Sequence, residues 1–411
     1  MACLKAYLCV YLPRCGYDEA AAVPQKDAPE YKGRTQARSS VPVETPGDYQ
    51  QRVLTLCKKN QPKEAYIVLK EAEKRNFSLG PASYNSLIKA LLAEGHMKDA
   101  MMVRDIAISR IGSFQFSETA NSLLIITQVK GGQVKDAQAT LTEMLQVDQV
   151  PSQLAVTRLV QGLGSLGDAK GVEEVESAIK ALGSSLNLSR MLFVNNLALA
   201  QIKSGDIEAA VEGLEALYTS GSGEPSEEGP QITSMSYVFR KVKSENNEHA
   251  LDKLSAMAER LANHFACYRP ATDLFLEYLD LGHIEEAKFL LQRCAGVAEQ
   301  KKVLVSYITR LAKRPGQAKK IKTLHELIPD FAEKDVYYPY LMKCYGQDKD
   351  LPSAKAVYQQ MQEEGVSADE LTLKRLAALY KNAGEAVPFQ EPPESFSFYG
   401  NKLRQKSKEQ S

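Results

Sequence analysis

The sequence has no tryptophan, only five histidines, and seven cysteines without a Cys-x-x-Cys pair. The histidines are scattered, and Cys3, Cys9 and Cys15 share a six-residue spacing that no common metal site uses, so no metal site is expected. An odd cysteine count argues against a disulfide framework and suits a reducing compartment. Asn76-Phe77-Ser78 and Asn187-Leu188-Ser189 match the glycosylation acceptor pattern, yet nothing else points to secretion, and both read as accidental. Neither sign of charge predominates, with 51 basic residues facing 51 acidic ones. That balance excludes a globally basic nucleic-acid binder and leaves local clusters open. No apolar run reaches the roughly 20 residues that span a bilayer, so the chain reads as soluble, with no membrane span. No serine, cysteine or carboxylate constellation suggests catalysis; a non-enzyme without cofactor is expected.

One cofactor motif is present in letters only. Gly162-Leu163-Gly164-Ser165-Leu166-Gly167 matches the dinucleotide fingerprint, but no Asp or Glu lies between Glu176 and Asp206. The acid about 20 residues on that would hold a ribose is therefore missing.

What is present is a repeat. In Ser83 to Ala100, Leu87, Ile88, Leu91 and Leu92 form an apolar stripe at helical spacing, and Gly95 ends the helix where a left-handed residue costs least. Ala100 then offers a small side chain where two helices of a hairpin come close, and Val103, Ile106 and Ala107 continue the buried face. The turn glycine returns as Gly131, Gly167 and Gly205, at steps of 36, 36 and 38 residues. An acid followed by alanine keeps the same beat in Glu64-Ala65, Asp99-Ala100, Asp136-Ala137, Glu208-Ala209 and Glu286-Ala287. A period in this range predicts an all-α, right-handed α-solenoid of helical hairpins, each stable only against its neighbours.

Along the chain, residues 1–15 read as a helix or the remnant of an upstream repeat, with a poor presequence as the other reading. Residues 16–47, with Pro24, Pro29, Pro42 and Pro46, read as a flexible linker. Residues 48–387 hold about nine hairpins and a closing helix. Hairpins are expected to start near Asp48, Pro81, Ser117, Gln153, Met191, Gln231, Tyr268, Lys302 and Asp335, with the closing helix from Glu370 to Ala383. The Ser-, Gly- and Glu-rich stretch 219–230 is expected to be a mobile loop, and 388–411 a flexible basic and aromatic tail.

Ser83-Tyr84-Asn85-Ser86-Leu87-Ile88, followed by Gly95 and Ala100, resembles the pentatricopeptide repeat, which reads Thr-Tyr-Asn-x-Leu-Ile with glycine and alanine at those offsets. Met361-Gln362-Glu363-Glu364-Gly365-Val366-Ser367-Ala368-Asp369 resembles the end of such a unit, as do Met144 and Pro151-Ser152. A tetratricopeptide Trp-x-x-Leu-Gly start is absent. The eroded repeats and the closing Glu391-Pro392-Pro393-Glu394-Ser395-Phe396 are similar to the C-terminal part of the animal mitochondrial leucine-rich pentatricopeptide-repeat family. That resemblance implies binding to single-stranded RNA, namely mitochondrial messenger RNA, in support of its stability, polyadenylation and translation. It also implies an RRM-type RNA-binding partner and a mitochondrial matrix location with a minor nuclear pool.

In this repeat class a polar residue on the first helix, with the last residue of the unit, reads one base per repeat. The resemblance carries that role to Asn85, Asn121, Thr157, Asn195, Thr272 and Ser306, with Ser152 as the partner of Asn121. Met235, Pro339 and Lys374 fall at the same place in other units, and ordinary exposed polar residues are the alternative reading. Between Gln300 and His325 lie eight cations and no acid: Lys301, Lys302, Arg310, Lys313, Arg314, Lys319, Lys320 and Lys322. Such a block can neutralise phosphates, each released counterion adding affinity that salt removes; a solvated face is the alternative. The groups flank Pro315-Gly316 and are expected to form one patch. Two functions follow: a solenoid that binds RNA directly, or a protein scaffold whose partner makes the RNA contact.

Overall fold

The computed structural model describes residues 44–183, 186–220 and 234–392. The repeat array begins at Pro46. Its helices are α1 (Pro46–Lys58), α2 (Pro62–Lys74), α3 (Pro81–Ala93), α4 (Met97–Arg110), α5 (Glu118–Lys130), α6 (Val134–Gln146) and α7 (Gln153–Leu166). They continue as α8 (Ala169–Ala181), α9 (Arg190–Ser204), α10 (Ile207–Ser220), α11 (Ser236–Ser244), α12 (Glu248–Phe265) and α13 (Arg269–Leu281). The last are α14 (Ile284–Arg293), α15 (Lys301–Leu311), α16 (Ala318–Leu327), α17 (Lys334–Asp348), α18 (Leu351–Glu363) and α19 (Glu370–Asn382). Among the described residues there are no strands.

The hairpins form as the repeat predicts. Leu87, Ile88, Leu91 and Leu92 of α3 are buried, and each such side chain contributes about 1.5–3 kcal/mol when withdrawn from water. Ala65, Ala100, Ala137 and Ala287, four of the five alanines of the acid-alanine beat, are fully buried where the second helix of a pair meets the first; in α10 the buried alanine is Ala210 and not the expected Ala209. The helix α3 closes with the amide of His96 on the Leu91 carbonyl (2.8 Å) and that of Gly95 on Leu92 (3.0 Å). This closure requires the left-handed φ of +83° at Gly95. Gly167, Gly205 and Gly282 do the same. After α5 the left-handed residue is Gly132 and not the expected Gly131, whose φ is −81°. The two adjacent glycines left that register ambiguous, and the amide of Gln133, on the Gln128 carbonyl at 2.8 Å, sets it.

The first helices of successive pairs pack on one another from α1 through α13, and α17 packs on α19. The eighth pair departs from this rule: α16 reaches back to α13 and forward to α17. The Gly162–Gly167 segment lies in α7 and in its closing turn, not in a nucleotide loop. Gly164 faces Asn196, and a Cβ there would stand 2.9 Å from the Asn196 carbonyl oxygen, so the glycine lets α7 and α9 approach closely.

At the borders, α1 starts two residues before the expected boundary, and α11 starts at Ser236 and not near Gln231. Residues 1–43, most of the linker among them, lie outside the described residues, as do 221–230 of the expected loop, the adjoining 231–233, and 393–411 of the tail. The start of the tail is packed, contrary to expectation: Phe389 meets the rings of Tyr358 (5.6 Å) and Tyr380 (6.3 Å). Glu391 pairs with Lys374 (2.6 Å) and with Lys381 of α19.

Candidate nucleic-acid interface

The first helices carry the expected base-reading positions except Ser152, which precedes α7, and several of them are already used by the fold. Asn195 is buried, and its side-chain amide donates to the Ser234 carbonyl at the entry to the next unit (2.9 Å). Thr272 is fully buried and its hydroxyl donates to the Tyr268 carbonyl (2.8 Å). Neither can reach a strand lying on the surface, which corrects both assignments; the apolar stripe is wide enough in α9 and α13 to swallow that position. Asn85 is half-buried, and its Oδ1 accepts from the Ser117 amide at the start of α5 (3.1 Å). These asparagines staple one unit to the next.

Asn121, Ser152, Thr157 and Ser306 remain accessible. Asn121 donates to Gln149 Oε1 at 2.7 Å, and Gln149 in turn donates to the Phe116 carbonyl. The Ser152 hydroxyl caps α7 by accepting from the Ala155 amide, and the Ser152 amide donates to Ser122, not to Asn121. Thr157 and Ser306 return their hydroxyls to carbonyls one turn back, Gln153 and Lys302.

The cation block divides in two. Asp280, near the end of α13, accepts from Tyr307 Oη at 2.8 Å and draws in Lys320 Nζ at 3.3 Å and Arg310 at 3.8 Å. Lys320 also donates to the Asp280 carbonyl at 2.9 Å. The same helix pairs Asp273 with Arg269 (2.9 Å) and Glu277 with Arg240 (3.8 Å). Burial pushes the carboxyls of Asp273 and Glu277 up from the ordinary range, against the pull of those cations. Burial, and after it the contact with Asp280, likewise push the Tyr307 phenol up. Arg310 and Lys320 are thus inter-helix ties, and the expected single patch is reduced by two. Lys322 stands over the Tyr345 ring, 5.5 Å from its centroid. Lys301, Lys302, Lys313, Arg314 and Lys319 are exposed, and among the described residues none of them has a carboxylate within ion-pair distance.

Two cations missed in the sequence, Lys343 of α17 and Arg375 of α19, lie in the units that follow. Lys343 has no cation beside it and Arg375 adjoins only Lys374, but Lys313, Lys343 and Arg375 recur at intervals of 30 and 32 residues, close to one repeat, and that spacing was the available signal.

Stacked hairpins with a polar, partly cationic first-helix layer define a pentatricopeptide-repeat solenoid. A family model described as a pentatricopeptide repeat-containing protein matches residues 50–184, and a second, described as a PPR repeat, matches residues 340–366. The chain belongs to the pentatricopeptide-repeat proteins. It is 52% identical over 92% of its length to the leucine-rich PPR motif-containing protein, mitochondrial, of Xenopus tropicalis, and 45% identical over 86% to that of Mus musculus. These alignments cover 27% and 25% of the two relatives, so the chain spans about a quarter of the length of the curated relatives it matches. Among solved structures, the pentatricopeptide repeat protein PPR10 in complex with an 18-nt psaJ RNA element is 13% identical, with a TM-score of 0.34, over 83% of this chain and 52% of that one.

Proposed function

We propose that this chain binds single-stranded RNA without catalysis, along the end of the solenoid formed by its eighth and later units. The observation that carries the reading is the group Lys313, Arg314 and Lys319 around the turn at Pro315–Gly316, exposed and without carboxylate partners among the described residues. Unpaired cations on a repeat surface attract a phosphate backbone whatever its sequence. The mitochondrial naming of the relatives supports a place in the mitochondrial matrix. Messenger RNA as the ligand, with its stability, polyadenylation and translation as the outcome, is the finer part of the proposal and rests on the sequence resemblance alone. No observation supports a nuclear pool, and that part of the expectation is dropped.

Neutralising Lys313, Arg314 and Lys319 together should weaken binding about equally for all RNA sequences. The slope of log affinity against log salt should flatten by about two, at roughly 0.7 per lost contact. Fluorescence anisotropy with a labelled mixed-sequence RNA measures both.

The buried Asn195 and Thr272 favour a second reading, a scaffold that holds an RRM-type RNA-binding partner while the partner contacts RNA. In that case the triple variant leaves the RNA affinity of the partner complex unchanged.

A further inference from the structure

The end of the array holds a second group of cations, away from Pro315–Gly316. Lys343 and Arg375 line one cleft of about 280 Å³ between α17 and α19, together with Gly346, Gln347 and Asn382. Both cations are half-buried, and among the described residues neither has a carboxylate within ion-pair distance. Burial, followed by the charges of Arg375 and Lys313, holds the Lys343 ammonium below its usual range, so Lys313 stands close enough to be felt. Burial also lowers Arg375, against the weaker pull of Asp369. Two carboxylates of these units serve the fold: Asp369 caps α19 by accepting from the Thr372 amide (2.8 Å), and Asp348 accepts from the Gly316 amide (2.6 Å).

Gathering like charges in a half-buried place is unfavourable unless an anion completes it. Elsewhere in the same layer that role falls to protein carboxylates, Asp273 for Arg269, Glu277 for Arg240 and Asp280 for Lys320. Here, among the described residues, no counter-charge is present while the space for one is. The two amides at the rim, Gln347 and Asn382, can donate to anionic oxygens that the cations hold.

We infer that the Lys343–Arg375 cleft is a phosphodiester site, which seats the backbone of the single-stranded RNA as it passes from α17 to α19. This rests on the RNA-binding reading above and adds a fixed point to it. The planar guanidinium of Arg375 takes two phosphate oxygens side by side, and Lys343 supplies a point charge from the other wall. The site positions the strand and carries no base preference.

The test uses the whole chain and a labelled mixed-sequence single-stranded RNA. Lysine acetylation followed by mass spectrometry is run with and without the RNA, and binding is measured for the parent, Lys343→Gln, and Lys343→Gln combined with Arg375→Gln. RNA should protect Lys343 from acetylation, and the double variant should flatten the salt slope by about 1.4, at roughly 0.7 per contact, for every RNA sequence. Equal acetylation of Lys343 with and without RNA, in a parent chain that does bind RNA, overturns the site and leaves the RNA-binding reading standing. Absence of RNA binding by the parent overturns both. Protection of Lys343 by a polyglutamate peptide but not by RNA overturns the site in favour of an acidic protein partner. The acetylation arm needs no variant, so a destabilised Arg375→Gln chain does not spoil the test.

Discussion

Replacing Asp280 by asparagine should strengthen RNA binding, the opposite of what loss of a charged residue usually does. Asp280 holds Lys320 at 3.3 Å, Arg310 at 3.8 Å and the Tyr307 hydroxyl at 2.8 Å. Asparagine keeps the shape and an acceptor for Tyr307 but removes the charge that turns both cations inward. Arg310 is released outright, while Lys320 keeps its bond to the backbone carbonyl of residue 280 (2.9 Å), so the salt slope should steepen by about 0.7, rising to about 1.4 where Lys320 also turns to a phosphate, at roughly 0.7 per contact. The stability cost comes mainly from Tyr307, whose hydrogen bond changes from a charged to a neutral acceptor, a loss of about 1 kcal/mol. The long, half-exposed pair with Arg310 adds little to that. Anisotropy titrations across a salt series give the slope, and urea unfolding gives the stability. An unchanged or flatter slope in Asp280→Asn would refute the claim that this carboxylate withholds the two cations.

Gly164→Ala should be neutral to destabilising by up to about 2 kcal/mol, because overpacking against Asn196 costs about 1–3 kcal/mol while alanine in a helix returns about 1. Gly213→Ala in α10, where a Cβ meets nothing within 4 Å, should instead stabilise by about 0.5–1 kcal/mol in the same urea assay. Asn195→Ala should lower stability by about 1–3 kcal/mol, since it leaves the Ser234 carbonyl unpaired, and should not alter base preference. Asn121→Ala, tested on RNAs varied at one position at a time, should alter preference at a single base and leave the salt slope alone. Glu364 accepts from Tyr338 (2.7 Å), Lys334 (3.0 Å) and Gln360 (3.0 Å), and these bonds hold its carboxyl at about 2, below the 4.5 of a free side chain. A folded-state value below the unfolded one means stability that is present above about pH 4.5 and lost as pH falls toward 2. The stability gap between parent and Glu364→Gln should therefore close over that window, and because the pair is partly exposed the gap stays near 1 kcal/mol or less.

The fold was legible because its determinants are local. A stripe such as Leu87, Ile88, Leu91 and Leu92, a glycine after it and an alanine five residues on fix a hairpin within a stretch equal to about four turns of helix, and these recur. Register suffered where two glycines adjoin, at Gly131 and Gly132, and the start of α11 lies beyond the expected Gln231. The site was less legible because its determinants are distant in sequence. Lys320 meets a carboxylate 40 residues away, in another unit, so an acid-free run of sequence was not an acid-free surface. Lys343 and Arg375 are unremarkable in their own segments and become a pair only when α17 stacks on α19. Asn195 and Thr272 share a sequence position with the exposed Ser306, and burial of that face, set by how wide each apolar stripe is, separates them.

The most direct measurement is the affinity of the chain by itself, with no partner protein, for single-stranded RNA as salt is raised. Direct binding through the unpaired cations predicts a linear fall of log affinity with log salt, its slope about −0.7 for each phosphate neutralised, so near −3.5 if Lys313, Arg314, Lys319, Lys343 and Arg375 all engage. No measurable binding at low salt, or an affinity that does not change with salt, would contradict it and leave the RNA contact to a partner.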